Sequence, residues 1–314
     1  MKKTVSICIP TYKQTRYLER CLRTILEQRY SDFELIISDD TPDDSVEMFI
    51  RGQLGNFPYS YYRNSQALGS PENWNSAIGK AGGKYIKVMH HDDFFTGPDS
   101  LGLMVGEIEK EKAAFMFCQT DVWDLATNSH RIHTISDKQL KLLKRKPQFL
   151  FFKNVIGAPS ATLYLNNKSF RYDKRLKWLV DVDFYMQYLF HSQKIVHLPL
   201  PLICTATNTE GQVTVDVIND RYVQIKEHVL LFNKISVYKL NERGFMEFFD
   251  HLFFKYQVGS FQELEAIVPE AIEKRAFYNR VISSLNSFRA FKQFKKRFFG
   301  SRYNYYYFKM EQYL

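Results

Sequence analysis

The stretch 85-YIKVMHHDDFF-95 places two histidines and two aspartates at the end of a short apolar run, then returns at once to two phenylalanines. A run as short as YIKVM, set just after Gly82-Gly83, has the length of a buried strand rather than of a helix. Charge crowded at the end of a buried strand needs a reason, because polar groups removed from water without partners are costly.

The same design recurs upstream. VSICI (5–9) reads as a buried strand, and Tyr17, Leu18, Cys21, Leu22, Ile25 and Leu26 then follow at helical spacing. FELIIS (33–38) is a second strand, followed by the acidic turn DDTPDDS and a short helix. SYYRN (60–64) is a third, nearer an edge. Ser70-Pro71 marks a helix start, Trp74, Ala77, Ile78 and Ala81 share one face of that helix, and Gly82-Gly83 ends it. Strand–helix alternation of this kind predicts an α/β fold with a mostly parallel sheet flanked by helices. Ligands of such sheets collect at the carboxyl ends of the strands. The polar groups sit at those ends: Thr11-Tyr12, Asp39-Asp40, and His90 to Asp93. Their convergence reads as a binding site.

Beyond about residue 100 the alternation loosens. AFMFCQ (114–119) and SATLYL (160–165) read as strands, 125–147 is polar and basic, and Val182, Tyr185, Met186 and Leu189 form a helical stripe after Asp181. From about residue 215 the pattern is helical. The expected division is a catalytic domain over 1–215 and a helical C-terminal region over 216–314.

Composition narrows the partners. The formal charge of +9 invites a polyanion. The excess concentrates in 287–310, where Arg289, Lys292, Lys295, Lys296, Arg297, Arg302 and Lys309 alternate with aromatics. A basic, aromatic amphipathic segment suits an anionic membrane surface. The same residues also fit packing on the body or an oligomer contact, and no nucleic-acid partner is expected. The four scattered cysteines form no Cys-x-x-Cys pair, which argues against a zinc knuckle or a disulfide framework and fits a reducing compartment. The start, MKKTVSICIPTYKQ, has too short an apolar run for a signal peptide to be expected there, and no stretch approaches the roughly 18–20 apolar residues of a bilayer span. A cytoplasmic protein is expected, with peripheral attachment at the inner face of the plasma membrane as the open alternative.

Two nucleotide chemistries are excluded by the turn PTYKQTRY, which has no glycine: neither a dinucleotide fingerprint nor a Walker-type phosphate loop fits. Asp92 and Asp93 instead suit a Mg2+ or Mn2+ ion that also takes diphosphate oxygens. A tyrosine at the first strand end can lie against a base, and a carboxylate at the second can accept a base N–H. Each cluster alone also reads as a helix cap or a solvated turn. Trp74 is read as a core residue of its helix, and Trp178 as either core or acceptor contact.

The segments VSICIPTYKQTRYLERCLRTILEQRYSDFELIISDD and RNSQALGSPENWNSAIGKAGGKYIKVMHHDD, with FRYDKRLKWLVDVDFYMQYLF (170–190), resemble the family 2 glycosyltransferases, whose fold is GT-A, the nucleotide-diphospho-sugar transferase fold. The resemblance implies that Pro10, Thr11 and Tyr12 line the base pocket, that Asp39 bonds the base, and that Arg63 and Asn73 approach the nucleotide. It implies Asp92 near the ribose or metal, Asp93 as the principal metal ligand with His91 at the first position of the Asp-x-Asp motif, and Asp181 as catalytic base. Two departures stand out. His91 replaces an acid, and the usual Glu-Asp pair reads Val180-Asp181, with Asp183 the rival in register. A polar loop, 205-TATNTEGQVT-214, falls where family members close over donor and acceptor.

The implied function is metal-dependent, inverting transfer of a sugar from a nucleotide-diphosphate donor, UDP ahead of GDP or dTDP. The implied acceptor is a glycan or lipid-linked hydroxyl in bacterial surface polysaccharide or lipopolysaccharide synthesis. A nucleotidyltransferase using the same carboxylates, or a non-catalytic nucleotide- or carbohydrate-binding protein of this fold, remain the alternatives.

Overall fold

The computed structural model describes residues 3–192, 194–207, 217, 219–235, 242–270 and 272–294, with the side chains of 288–294 excepted. The chain divides into two compact units, one of residues 1–147 with 154–215, the other of 148–153 with 216–314.

The first unit is a mixed sheet wrapped by helices. Its first half runs β1 (Val5–Thr11), α1 (Arg16–Leu26), β2 (Phe33–Asp39), α2 (Ser45–Leu54), β3 (Ser60–Arg63), α3 (Glu72–Lys80), β4 (Tyr85–Val88). These four strands lie in the order β3-β2-β1-β4, all parallel. Every residue of β1 is buried, as a strand covered on both faces requires. Leu18, Cys21, Leu22 and Ile25 of α1 turn inward onto it, while Leu26 stays exposed. Gly83 carries the sharp entry into β4: a Cβ there would lie 2.7 Å from the Ser6 nitrogen, and its N–H donates to Ser6 Oγ at 2.8 Å. Only glycine allows that approach.

The second half is β5 (Asp93–Phe95), α4 (Ser100–Lys110), β6 (Phe115–Asp124), β7 (Ser129–His133), α5 (Asp137–Arg145), β8 (Thr162–Leu165), α6 (Val180–His191) and β9 (Ile195–Thr207). β8 joins antiparallel to β4, and β6 continues the sheet from β8. The thirteen-residue β9 lies parallel to β6 and antiparallel to β5. Sequence patterning missed β9 because IVHLPLPLICTAT contains two prolines, which cannot donate to a ladder. The strand accommodates them through register shifts around Gln119 of β6. The polar, basic 125–147 likewise contains β7 and α5, the latter started by a capping box of Ser136 and Gln139.

The second unit is helical: α7 (Arg221–Ile235), α8 (Glu242–Lys255), α9 (Phe261–Ile267) and α10 (Arg275–Phe294). Its core is aromatic, with the Phe151 ring 4.9 Å from Phe245 and from Phe248, and Phe232 4.8 Å from Phe277. Among the described residues no helix is long and apolar enough to cross a membrane. The side chains of the basic–aromatic tail from 288, and residues 208–214 of the expected closing loop, lie outside the described residues.

Candidate active site

Parallel pairing sets the ends of β3, β2, β1 and β4 side by side, and with them the polar clusters. At the β1–β2 junction Asp39, fully buried, is a hub. Thr11 Oγ1 donates to its Oδ1 at 2.9 Å, Thr41 donates to the same oxygen from its hydroxyl (2.7 Å) and its N–H (3.0 Å), and the Tyr61 hydroxyl donates to Oδ2 at 2.6 Å. Burial and the adjoining Asp39 push the Tyr61 phenol well up, so it acts as donor. Asp40 accepts from Asn64 Nδ2 and from the Gly69 N–H, both at 2.8 Å. Asn73 Nδ2 donates to the Thr11 carbonyl at 3.0 Å, and Asn64 Nδ2 donates to Asn73 Oδ1 at 3.1 Å. Thr11, Asp39 and Asn73 therefore belong to one bonded network.

Pro10 is buried in β1 opposite Ser38. Tyr12 stands at the rim, 48% exposed, with the Lys13 ammonium 4.9 Å from its ring centre. Arg63 lies apart from this network: its guanidinium is taken up by Asp44 and Glu47.

The turn after β4 gathers a second group. Ligand-capable atoms of His90, Asp92 and Asp93 lie within 4.8 Å of one another. The turn is fixed by the Asp93 N–H donating to the His90 carbonyl (3.1 Å) and by the His90 N–H donating to Ser160 Oγ (3.1 Å). His91 is half-buried and is not part of this group among the described residues. Burial lowers the His90 pKa to about 4, against a smaller upward pull from Asp92. Burial and then Asp92 push the Asp93 carboxyl well above the usual range, a shift that Ser160 and Lys87 oppose. The buried His90 Nε2 has no hydrogen-bond partner. One imidazole and two carboxylates suit a divalent ion of the Mn2+ or Mg2+ type, and such an ion would satisfy both the orphaned nitrogen and the crowded carboxylates. The residues present fit it.

Trp74 connects this turn to α6. Half-buried rather than in the core, it lies 4.6 Å from the His90 ring and 5.0 Å, edge-on, from Tyr172, which stacks on Phe184 at 4.0 Å. Asp181, in the first turn of α6, is half-buried and accepts from Asn154 Nδ2 at 2.9 Å and from the Val182 N–H at 2.8 Å. Asp183 is only 3% exposed and lies inside the helix packing. Burial pushes the Tyr185 phenol well up, and both Asp181 and Asp93 add to the shift, so one buried ring senses both carboxylates. Trp178 is half-buried.

The sequence placed His90 in the strand-end cluster but named Asp93 and His91 as the candidate ligands, and it passed over Tyr61, Asn64, Asn154 and Ser160. The alternation within SYYRN was a signal for Tyr61. Asn154 has none, since its partner lies 27 residues away.

The profile described as glycosyl transferase family 2 matches residues 6–171, and the chain belongs to that family. Abequosyltransferase RfbV of Salmonella typhimurium is 32% identical over 143 residues, 43% of this chain and 43% of that protein. The chain spans 63% of the length of another curated relative, from Mycobacterium tuberculosis. Among solved structures, TarS 1-349 of S. aureus in complex with UDP-GlcNAc superposes with a TM-score of 0.57 at 14% identity, covering 91% of this chain and 92% of that one. The mannosyltransferase PcManGT of Pyrobaculum calidifontis, in complex with GDP-Man and Mn2+, gives 0.58 at 13% identity, covering 100% and 85%. At these identities the likeness shows the fold, which is GT-A.

Proposed function

We propose that the protein transfers a sugar, with inversion, from a nucleotide-diphosphate donor to an acceptor hydroxyl, with UDP the favoured nucleotide. The observation that carries this reading is the His90–Asp92–Asp93 group beside the Thr11–Asp39–Asn73 network, at the carboxyl ends of adjacent strands. Complexes of TarS with UDP-GlcNAc and of PcManGT with GDP-Man and Mn2+ support a nucleotide-sugar donor for this fold. The abequosyltransferase relative, and a putative colanic acid biosynthesis glycosyl transferase of Escherichia coli that is 27% identical over 194 residues, support a bacterial glycan as acceptor.

In this reading Pro10, Thr11, Tyr12, Asp39 and Asn73 hold the base and ribose, with Asp92 near the ribose or the ion. Arg63 is retained as a nucleotide contact, reached if the nucleotide draws it from Asp44 and Glu47. Asp93 with Asp92 and His90 would hold Mn2+ or Mg2+, and His91 stays a candidate from the motif. A bound divalent ion supplies positive charge where the leaving diphosphate gains negative charge. Asp181 takes the proton from the acceptor hydroxyl as its oxygen attacks the anomeric carbon. Its partial exposure favours it over buried Asp183, which no acceptor reaches without unpacking α6. We further propose 1–215 as the catalytic domain, 216–314 as its helical companion, and a cytoplasmic site of action with 287–310 contacting the inner membrane face.

Calorimetric titration of UDP, GDP and dTDP, with and without Mn2+, tests the reading. Metal-dependent binding of one nucleotide, lost in Asp93→Ala, is the expected result. No binding of any of them points to a non-catalytic protein, and pyrophosphate release on turnover points to nucleotidyl transfer.

A further inference from the structure

Lys87 lies within β4, opposite Ile7 of β1, and has no exposed surface. A lysine inside a sheet is costly, because an ammonium taken from water must be repaid by charge or hydrogen bonds. Its Nζ donates to the Ser160 carbonyl and, at 3.5 Å, to the Thr162 carbonyl, and stands 5.5 Å from the centre of the Phe95 ring. Among the described residues no carboxylate forms an ion pair with it. Burial lowers its pKa to about 8, so the ammonium stays largely charged at neutral pH.

The carboxylate whose charge acts on Lys87 is Asp93. Ser160 joins Lys87 to the turn that carries Asp93. Its carbonyl accepts from Lys87 and its hydroxyl accepts the His90 N–H. A positive charge is thus fixed beneath the turn that gathers His90, Asp92 and Asp93. A cation entering that turn is repelled by it, whereas a diphosphate beside the cation is attracted.

We propose that Lys87 is a positioning residue, a built-in counter-charge that disfavours a bare divalent ion at His90, Asp92 and Asp93 and favours the ion together with a nucleoside diphosphate. The inference rests on the metal reading given above.

The test is calorimetric titration of Mn2+ into the full chain, with and without UDP or GDP, for the wild type, Lys87→Gln and Lys87→Met. In the wild type, Mn2+ binds weakly alone and at least about tenfold tighter with the nucleotide, a coupling that reciprocity also imposes on the nucleotide. Both variants bind Mn2+ alone about tenfold tighter, and the nucleotide-induced gain shrinks by a similar factor. Equal wild-type affinity with and without nucleotide overturns the proposal, whether or not the variants fold. Unchanged or weakened Mn2+ binding in both variants also overturns it. So does a Lys87→Gln that matches the wild type while Lys87→Met differs, since Lys87 would then act only through its hydrogen bonds. A wild type that binds nucleotide but no Mn2+ sinks the metal reading itself, and the proposal with it.

Discussion

Asn154 holds Asp181 from the side: its Nδ2 donates to Asp181 Oδ2 at 2.9 Å, while its own Oδ1 accepts the N–H groups of Ile156 (3.1 Å) and Gly157 (3.0 Å). The amide is therefore locked at both ends. Gly157 completes the lock with φ +99°, a conformation that favours glycine, and with His133 only 3.2 Å from where a Cβ would sit.

Asn154→Ala should lower kcat by about 10–100-fold and leave the donor KM unchanged, because misorientation of a base affects the transition state rather than donor binding. Asp181→Asn should cost about 100–10,000-fold in kcat. Initial rates at saturating donor check both. A full-rate Asp181→Asn enzyme would remove this residue from the chemistry.

His90 and His91 should separate cleanly. His90→Ala is expected to raise the Mn2+ concentration for half-maximal nucleotide binding by about tenfold, as loss of one ligand of three would. His91→Ala should change it less than about twofold. The reverse ranking would return the ligand role to the motif position.

Tyr61→Phe removes the hydroxyl that donates to Asp39 Oδ2 and leaves a buried carboxylate oxygen short of a donor. The expected cost is about 1–3 kcal/mol of stability, read from urea unfolding. Nucleotide affinity should fall with it, since Asp39 loses its fixed orientation. An unchanged midpoint would mean that water replaces the hydroxyl.

The helical unit carries an acid-sensitive histidine. His228 is buried, its Nδ1 donates to the Gln224 carbonyl at 2.6 Å, and its ring lies 4.9 Å from Phe248. Burial lowers its pKa to about 4. The unfolded chain binds a proton below about pH 6.5 that the folded form refuses until about pH 4, so stability falls as pH drops through that window. The full effect is about 3 kcal/mol. Urea unfolding at pH 7 and pH 4.5 should show the loss, and His228→Phe should remove about 3 kcal/mol of it, leaving the share of His90, whose pKa burial also lowers to about 4. An equally steep slope in the variant would assign the acid sensitivity to other groups.

Much of the fold was legible because it is written in local periodicity. VSICI, FELIIS and YIKVM are short apolar runs between breakers, and each became a parallel strand with its polar residues at the carboxyl end. β9 was not legible, since its prolines mask a strand that only bulged pairing with β6 makes possible. Nor was the place of residues 148–153, whose phenylalanines serve the core of the helical unit.

By itself, then, the sequence determined which strand ends would meet and which polar residues they would carry: Thr11, Asp39, Asp92 and Asp93. Only the tertiary structure decided the partners. The turn after β4 gathers His90 with the two aspartates, Asn154 reaches Asp181, and the β4–β8 packing seals Lys87 beneath the site. The physical reason is range. A strand or helix is declared by neighbours a few residues apart, whereas a donor meeting an acceptor across tens of residues depends on register and on side-chain direction, which one residue of shift would reverse.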